Sequence, residues 1–217
     1  TAFVSGLPLQ FEENASFGNL ELGNSGNSKI LEGSRGQWLV TSGYFRQQAG
    51  TYIFAIPIHV GTDFIIEEPA TFHLTSPGDI LVEYSLILNG LLENNNGNIH
   101  VHGNFDFPAG GQLVNNGIVL FDRPLGSYFE LYGNLTMSEP NAVLSFLHHG
   151  VTIMSSFIES INDGTIRVGS DFVASIMGTF TPSGGTIELL PHFEPGHPDP
   201  PYLWLATGNY LHNLTVN

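Results

Sequence analysis

Gly78-Asp79-Ile80-Leu81-Val82, Gly97-Asn98-Ile99-His100-Val101 and Asn116-Gly117-Ile118-Val119-Leu120 repeat one phrase: a Gly or Asn turn, then the alternating start of a short strand. Their first isoleucines, Ile80, Ile99 and Ile118, are spaced by 19 and 19, and Val143, Ile166 and Ile187 follow at 25, 23 and 21. Outward from this stretch the phrase recurs at Gly18-Asn19-Leu20, Gly36-Gln37-Trp38, Gly50-Thr51-Tyr52, Gly133-Asn134-Leu135, Gly164-Thr165-Ile166 and Gly185-Thr186-Ile187. Short strands inside a superperiod of roughly 20 to 25 residues mark a solenoid, in which each coil buries its apolar face only against its neighbours. The expected fold is all-β: a right-handed parallel β-helix (β-solenoid), with Ile80, Ile99 and Ile118 in one inward column.

Gly and Asn recur too often for a three-turn helix to persist between them. Asn94, Asn95, Asn96, Asn115 and Asn116 fall where coils must turn, and their amides can stack in a hydrogen-bonded ladder. Residues 1–90 read as N-terminal coils, within which 37–84 is open to a second reading as a small inserted β-sandwich. Residues 91–217 read as solenoid carrying a Pro-rich surface loop at 191–201.

The 217 residues include 5 Lys and Arg against 20 Asp and Glu, a formal charge of −15. Phosphate backbones are bound by clustered Lys and Arg, so nucleic acid is excluded as a partner. The apolar runs stay short of the ~20 residues that span a bilayer, so no membrane span is expected. The chain has no Cys and hence no disulfide. Little Lys, abundant Asn, Gly, Thr and Ser and a pI near 4.7 point to an extracellular or cell-surface location for a secreted protein.

Phe17-Gly18-Asn19-Leu20-Glu21-Leu22 is echoed by Leu211-His212-Asn213-Leu214-Thr215-Val216, at an offset of 194. Solenoids ordinarily cap their unpaired strand edges, and no cap is visible after Leu211. Phe17, Leu20, Leu22, Leu211, Leu214 and Val216 are therefore the expected self-association residues, joining copies of the chain end to end.

Several phrases carry a resemblance. Residues 36–46, Ala49-Gly50-Thr51-Tyr52-Ile53-Phe54 and Pro69-Ala70-Thr71-Phe72-His73-Leu74 resemble a module of large secreted surface proteins of Bacteroidota-type bacteria. Gly184-Gly185-Thr186-Ile187-Glu188-Leu189 with Leu211-His212-Asn213-Leu214-Thr215-Val216-Asn217 is similar to their GGT-strand and NLTIN phrases. The chain departs from the module at Phe54-Ala55-Ile56-Pro57, where FPVG is usual. The resemblance implies β-helical or β-sandwich repeats displayed outside the cell, often through type IX secretion. It implies no catalytic residues.

Candidate chemistry is sparse. His100 and His102 lie two apart on a strand and project from one face, so they could share a metal, with His59, His73, His148 and His149 as further imidazoles. Solvent-facing histidines are the simpler expectation. Asp63, Glu67 and Glu68 offer hard oxygens suited to calcium, but read more simply as a solvated loop face. Arg167 and the pair Asp122-Arg123 are the residues a polysaccharide lyase could use. Gly-x-Ser-x-Gly, phosphate-loop and dinucleotide glycine signatures are absent. The expectation is a non-enzymatic extracellular structural protein without cofactor, building a stalk or head-to-tail filament. The alternatives are an adhesin that binds extracellular glycans on a flat face and a polysaccharide-active β-helix enzyme.

Overall fold

Several of the recurring glycines sit at corners where successive coils approach too closely for a side chain. A Cβ on Gly97 would lie 2.7 Å from the carbonyl oxygen of Gly78, and one on Gly117 would lie 2.3 Å from that of Gly97. From each such corner the chain leaves as a strand, and alternation turns the first residue outward and the second inward. Asp79, Asn98 and Ile118 accordingly face out, whereas Ile80, Ile99 and Val119 are buried.

The computed structural model describes residues 2–4, 9–11, 14–23, 29–33, 37–75, 78–122, 128–147, 150–169, 172–174, 178–190 and 202–216. Among them the chain forms twenty-eight short strands and no helix. The strands gather into six-, eight-, ten- and four-stranded sheets. The chain visits three faces in turn: Asp63–Ile66 lies in the six-stranded sheet, Thr71–Thr75 in the eight-stranded and Asp79–Val82 in the ten-stranded. Ser85–Leu88, Leu91–Asn95 and Asn98–Val101 then repeat the circuit, each paired in parallel with its counterpart one coil earlier. This is a parallel β-helix with three strands per coil. The isolated bridge between Phe107 and Leu131 links the six-stranded sheet to the four-stranded one that continues its face.

Two expectations are corrected by the pairing. Residues 37–84 are not an inserted β-sandwich: Leu39–Thr41, Phe45–Gln47, Thr51–Phe54 and Ile58–Val60 pair in parallel with neighbouring coils as solenoid strands. Nor does Ile118 share a column with Ile80 and Ile99. The inward column runs Ile58, Ile80, Ile99, Val119, Leu144, Ile166, Ile187 and Leu214, while Ile118 stands outward between Asn98 and Val143 at 43% exposure. Corner-glycine alignment, rather than isoleucine alignment, sets this register. The eight-stranded sheet crosses residue 90 without interruption, since Thr71–Thr75 pairs with Leu91–Asn95. The Pro-rich loop at 191–201 lies outside the described residues.

Phenylalanines fill the interior. Phe54 stacks on Phe72 at a 4.2 Å centroid separation, with Phe45 and Phe64 edge-on to this pair, and Phe105, Phe121 and Phe146 form a second stack further along. Between the apolar columns Asn94 and Asn115 are wholly buried and form the expected ladder. The Asn94 amide donates to Asn115 Oδ1 at 2.9 Å, and the Asn115 amide donates to the Val143 carbonyl at 2.9 Å. Backbone N–H groups of Gly97 and Gly117 donate to the two side-chain oxygens, so the ladder also holds the corners. Replacing Asn115 with Ala strands these partners in the interior, and urea denaturation should show a loss of about 1 to 3 kcal/mol.

Candidate functional site

The outer face of the ten-stranded sheet carries the densest chemistry among the described residues. Outward alternation on Asn98–Val101 brings His100 to the surface, and His102 follows two residues on. One coil later Asp122 emerges just after Ile118–Phe121, and its N–H donates to the Val101 carbonyl at 3.1 Å. Its carboxylate is therefore aimed at both rings. Asp122 Oδ2 lies 2.7 Å from His100 Nε2, and Oδ1 lies 2.7 Å from His102 Nδ1. The rings stand 4.2 Å apart between centroids, and all three side chains are partly exposed. One ligand atom from each comes within 4.8 Å of the others. Two imidazoles and a carboxylate can either form a hydrogen-bonded cluster or surround a cation.

Two further histidines, His59 and His73, are each paired with one carboxylate on an adjacent coil. His59 Nε2 meets Glu83 at 2.9 Å and His73 Nδ1 meets Glu93 at 2.5 Å. Glu67 accepts two hydrogen bonds from Arg46 and one from Asn89, so it is tied into the wall and does not gather with Asp63 and Glu68 around a cation. Arg167 donates to Glu188, its register partner, at 2.6 Å. It stands two strands away from the coil that ends in Asp122, so Arg167 and Asp122 are not paired with each other. Arg123, His148 and His149 lie outside the described residues.

The expected self-association residues divide between interior and edge. Leu20 and Leu22 are buried in Leu20–Leu22, which is paired on both sides by Ala2–Val4 and Phe45–Gln47. They offer no free edge. The echo is thus not a topological equivalence, because Asn213–Val216 belongs to the ten-stranded sheet, whose opposite terminal strand is Ala15–Phe17. Phe17 and Leu211 are partly buried against the core. Leu214 and Val216 are 45% and 60% exposed, whereas Ile187 and Leu189, one coil earlier in the same columns, are buried. Exposed Tyr202 and Trp204 lie at the corresponding end of the four-stranded sheet.

A third feature was not anticipated from the sequence. Where the six-stranded sheet hands over to the four-stranded one, Asn104, Asp106, Tyr128, Glu130 and Tyr132 line an open depression of about 300 Å³. The Tyr132 hydroxyl donates to Glu130 Oε2 at 2.8 Å, and this bond, with some desolvation, raises the phenol above its ordinary pKa. The alternating run Tyr128-Phe129-Glu130-Leu131-Tyr132 was the available signal for one wall. Asp106 belongs to another coil, so only the stacking register reveals the pair of walls.

Comparison with family models, with curated proteins and with solved structures gives no match for this chain.

Proposed function

We propose that the chain is an extracellular structural protein, a solenoid segment that stacks head to tail into a surface stalk or filament. The observation that supports this most is the exposed apolar pair Leu214 and Val216 on Asn213–Val216. There the inward columns of the ten-stranded sheet reach a strand that, among the described residues, is paired on one edge only, with Thr186–Leu189. A strand edge bearing an apolar strip invites a further coil. Because every pairing is parallel, a second copy presenting Ala15–Phe17 can continue the sheet with unchanged polarity. That contact is heterologous and propagates wherever it does not close into a ring. Each backbone bond at the junction adds about 0.5 to 1.5 kcal/mol, so apolar burial must supply most of the affinity.

Analytical ultracentrifugation of the full chain tests this directly. Assembly should increase with salt, because the charge of −15 opposes contact and exposed charges are screened over about 10 Å at 0.1 M. Deleting Leu211 to Asn217 should leave a folded monomer. A full chain that remains monomeric at high concentration and high salt defeats the proposal.

The depression around Tyr128 supports a second reading as a glycan-binding module. Exposed tyrosine beside Asp106 and Glu130 supplies an apolar ring face and hydroxyl acceptors together, which suits a sugar. Under either reading we place the protein outside the cell, on the resemblance of its strand phrases to those of Bacteroidota-type surface proteins. Neither reading requires catalysis.

A further inference from the structure

We propose that His100, His102 and Asp122 form a binding site for a divalent first-row transition ion. The three groups come from two adjacent coils whose register is held by ladder pairing, Val101 opposite Phe121, so their convergence is built into the backbone. The donor set is two imidazole nitrogens and one carboxylate oxygen. That set suits zinc, copper or nickel, whereas calcium and magnesium favour all-oxygen shells.

The geometry is close to what such an ion needs. Bonds of about 2.0 Å at tetrahedral angles place neighbouring ligand atoms about 3.3 Å apart. His100 Nε2 stands 2.7 Å from Oδ2 and His102 Nδ1 stands 2.7 Å from Oδ1, so the contact to whichever oxygen ligates must open by about 0.6 Å. One ligand atom from each residue already lies within 4.8 Å of the others. All three side chains reach solvent, which leaves the rings and the carboxylate room to rotate. In the metal-free cluster each ring nitrogen donates its hydrogen to Asp122. On binding, that nitrogen presents its lone pair and a neutral ring carries its hydrogen on the other nitrogen. Water completes the shell from the exposed side. The chain's charge of −15 raises the local concentration of cations around the site.

Titration calorimetry of the full chain with zinc sulfate and with copper sulfate tests the assignment, with calcium chloride as the contrast. The expected result is a saturable site for zinc and copper but not calcium. His100→Ala, His102→Ala and Asp122→Asn should each weaken it by at least about tenfold, the lower bound for losing even an outer-shell partner of a metal ligand. His59→Ala, which removes the imidazole paired with Glu83, should leave affinity unchanged. His100→Gln can still donate to Asp122, so lost ion binding with unchanged thermal melting separates ligation from structural support. The copper complex should show nitrogen splitting from two imidazoles by electron paramagnetic resonance, reduced to one in His100→Gln. Absence of saturable binding, wild-type affinity in the three ligand variants, or equal loss in His59→Ala overturns the proposal.

Discussion

Ile99→Asp is expected to abolish the cooperative unfolding transition, while Ile118→Asp, nineteen residues further on, changes stability by no more than about 0.5 kcal/mol, as surface substitutions do. Ile99 is 1% exposed and lies between Ile80 and Val119 in the inward column. An aspartate there either brings an unpaired charge into the apolar interior or takes up a proton to avoid it, and both routes cost free energy. Loss of the isoleucine's packing adds a penalty of about 2 to 5 kcal/mol. Domains of this size are stable by about 5 to 15 kcal/mol, so one such change consumes much of the margin. Its position worsens the outcome, because each coil of a solenoid is held chiefly by its neighbours and a failed middle coil exposes two. Ile118 is 43% exposed on the outer wall, where a carboxylate meets water. Circular dichroism during urea titration reads both variants. A tolerated Ile99→Asp with a crippling Ile118→Asp would reverse the register of the ten-stranded sheet.

The same two positions show why the architecture was legible and one register was not. Glycine, alternation and a superperiod near 20 residues are local signals, and they sufficed for a parallel β-helix. Register depends on which atoms touch between coils. Aligning isoleucine with isoleucine placed Ile118 inside, whereas aligning Gly78, Gly97 and Gly117 places Val119 there, as the pairing requires. The coil from Ile99 to Val119 is one residue longer than that from Ile80 to Ile99, and a one-residue slip exchanges the two faces of a strand. The histidine pair was visible from its spacing of two. Its carboxylate was not, because Asp122 is twenty residues from His102 and stood in the sequence beside Arg123, where it read as part of a different site. The echo at Leu20 and Leu22 failed similarly: all three faces use one corner phrase, so likeness of phrase does not identify the sheet.

Gly103→Ala is expected to destabilise the fold by about 3 kcal/mol, the upper end for overpacking, through a single methyl group. A Cβ on Gly103 would lie 1.4 Å from the Tyr84 carbonyl oxygen, 2.4 Å from its carbon and 2.9 Å from the Tyr84 Cα. These are backbone atoms, so no flexible side chain can swing aside. The two coils must part at the corner, which strains the 2.8 Å bond from the Asn104 N–H to the Tyr84 carbonyl and the pairing of Ser85–Leu88 with Asn104–Asp106. Glycine is not demanded at this corner by its position alone, because the preceding coil places Tyr84 there with 59% of the residue exposed. The demand arises from how closely these two coils approach. Gly18 supplies the control: it lies at the same kind of corner near the start of the stack, and an added Cβ meets nothing within 4 Å. Gly18→Ala should therefore be neutral or stabilising by up to about 1 kcal/mol, since alanine restricts the unfolded chain more than glycine does. Urea midpoints for the two variants should move in opposite directions or only that of Gly103→Ala should fall. Equal and small shifts would mean that the coils yield at this corner, and that close backbone approach does not hold the register there.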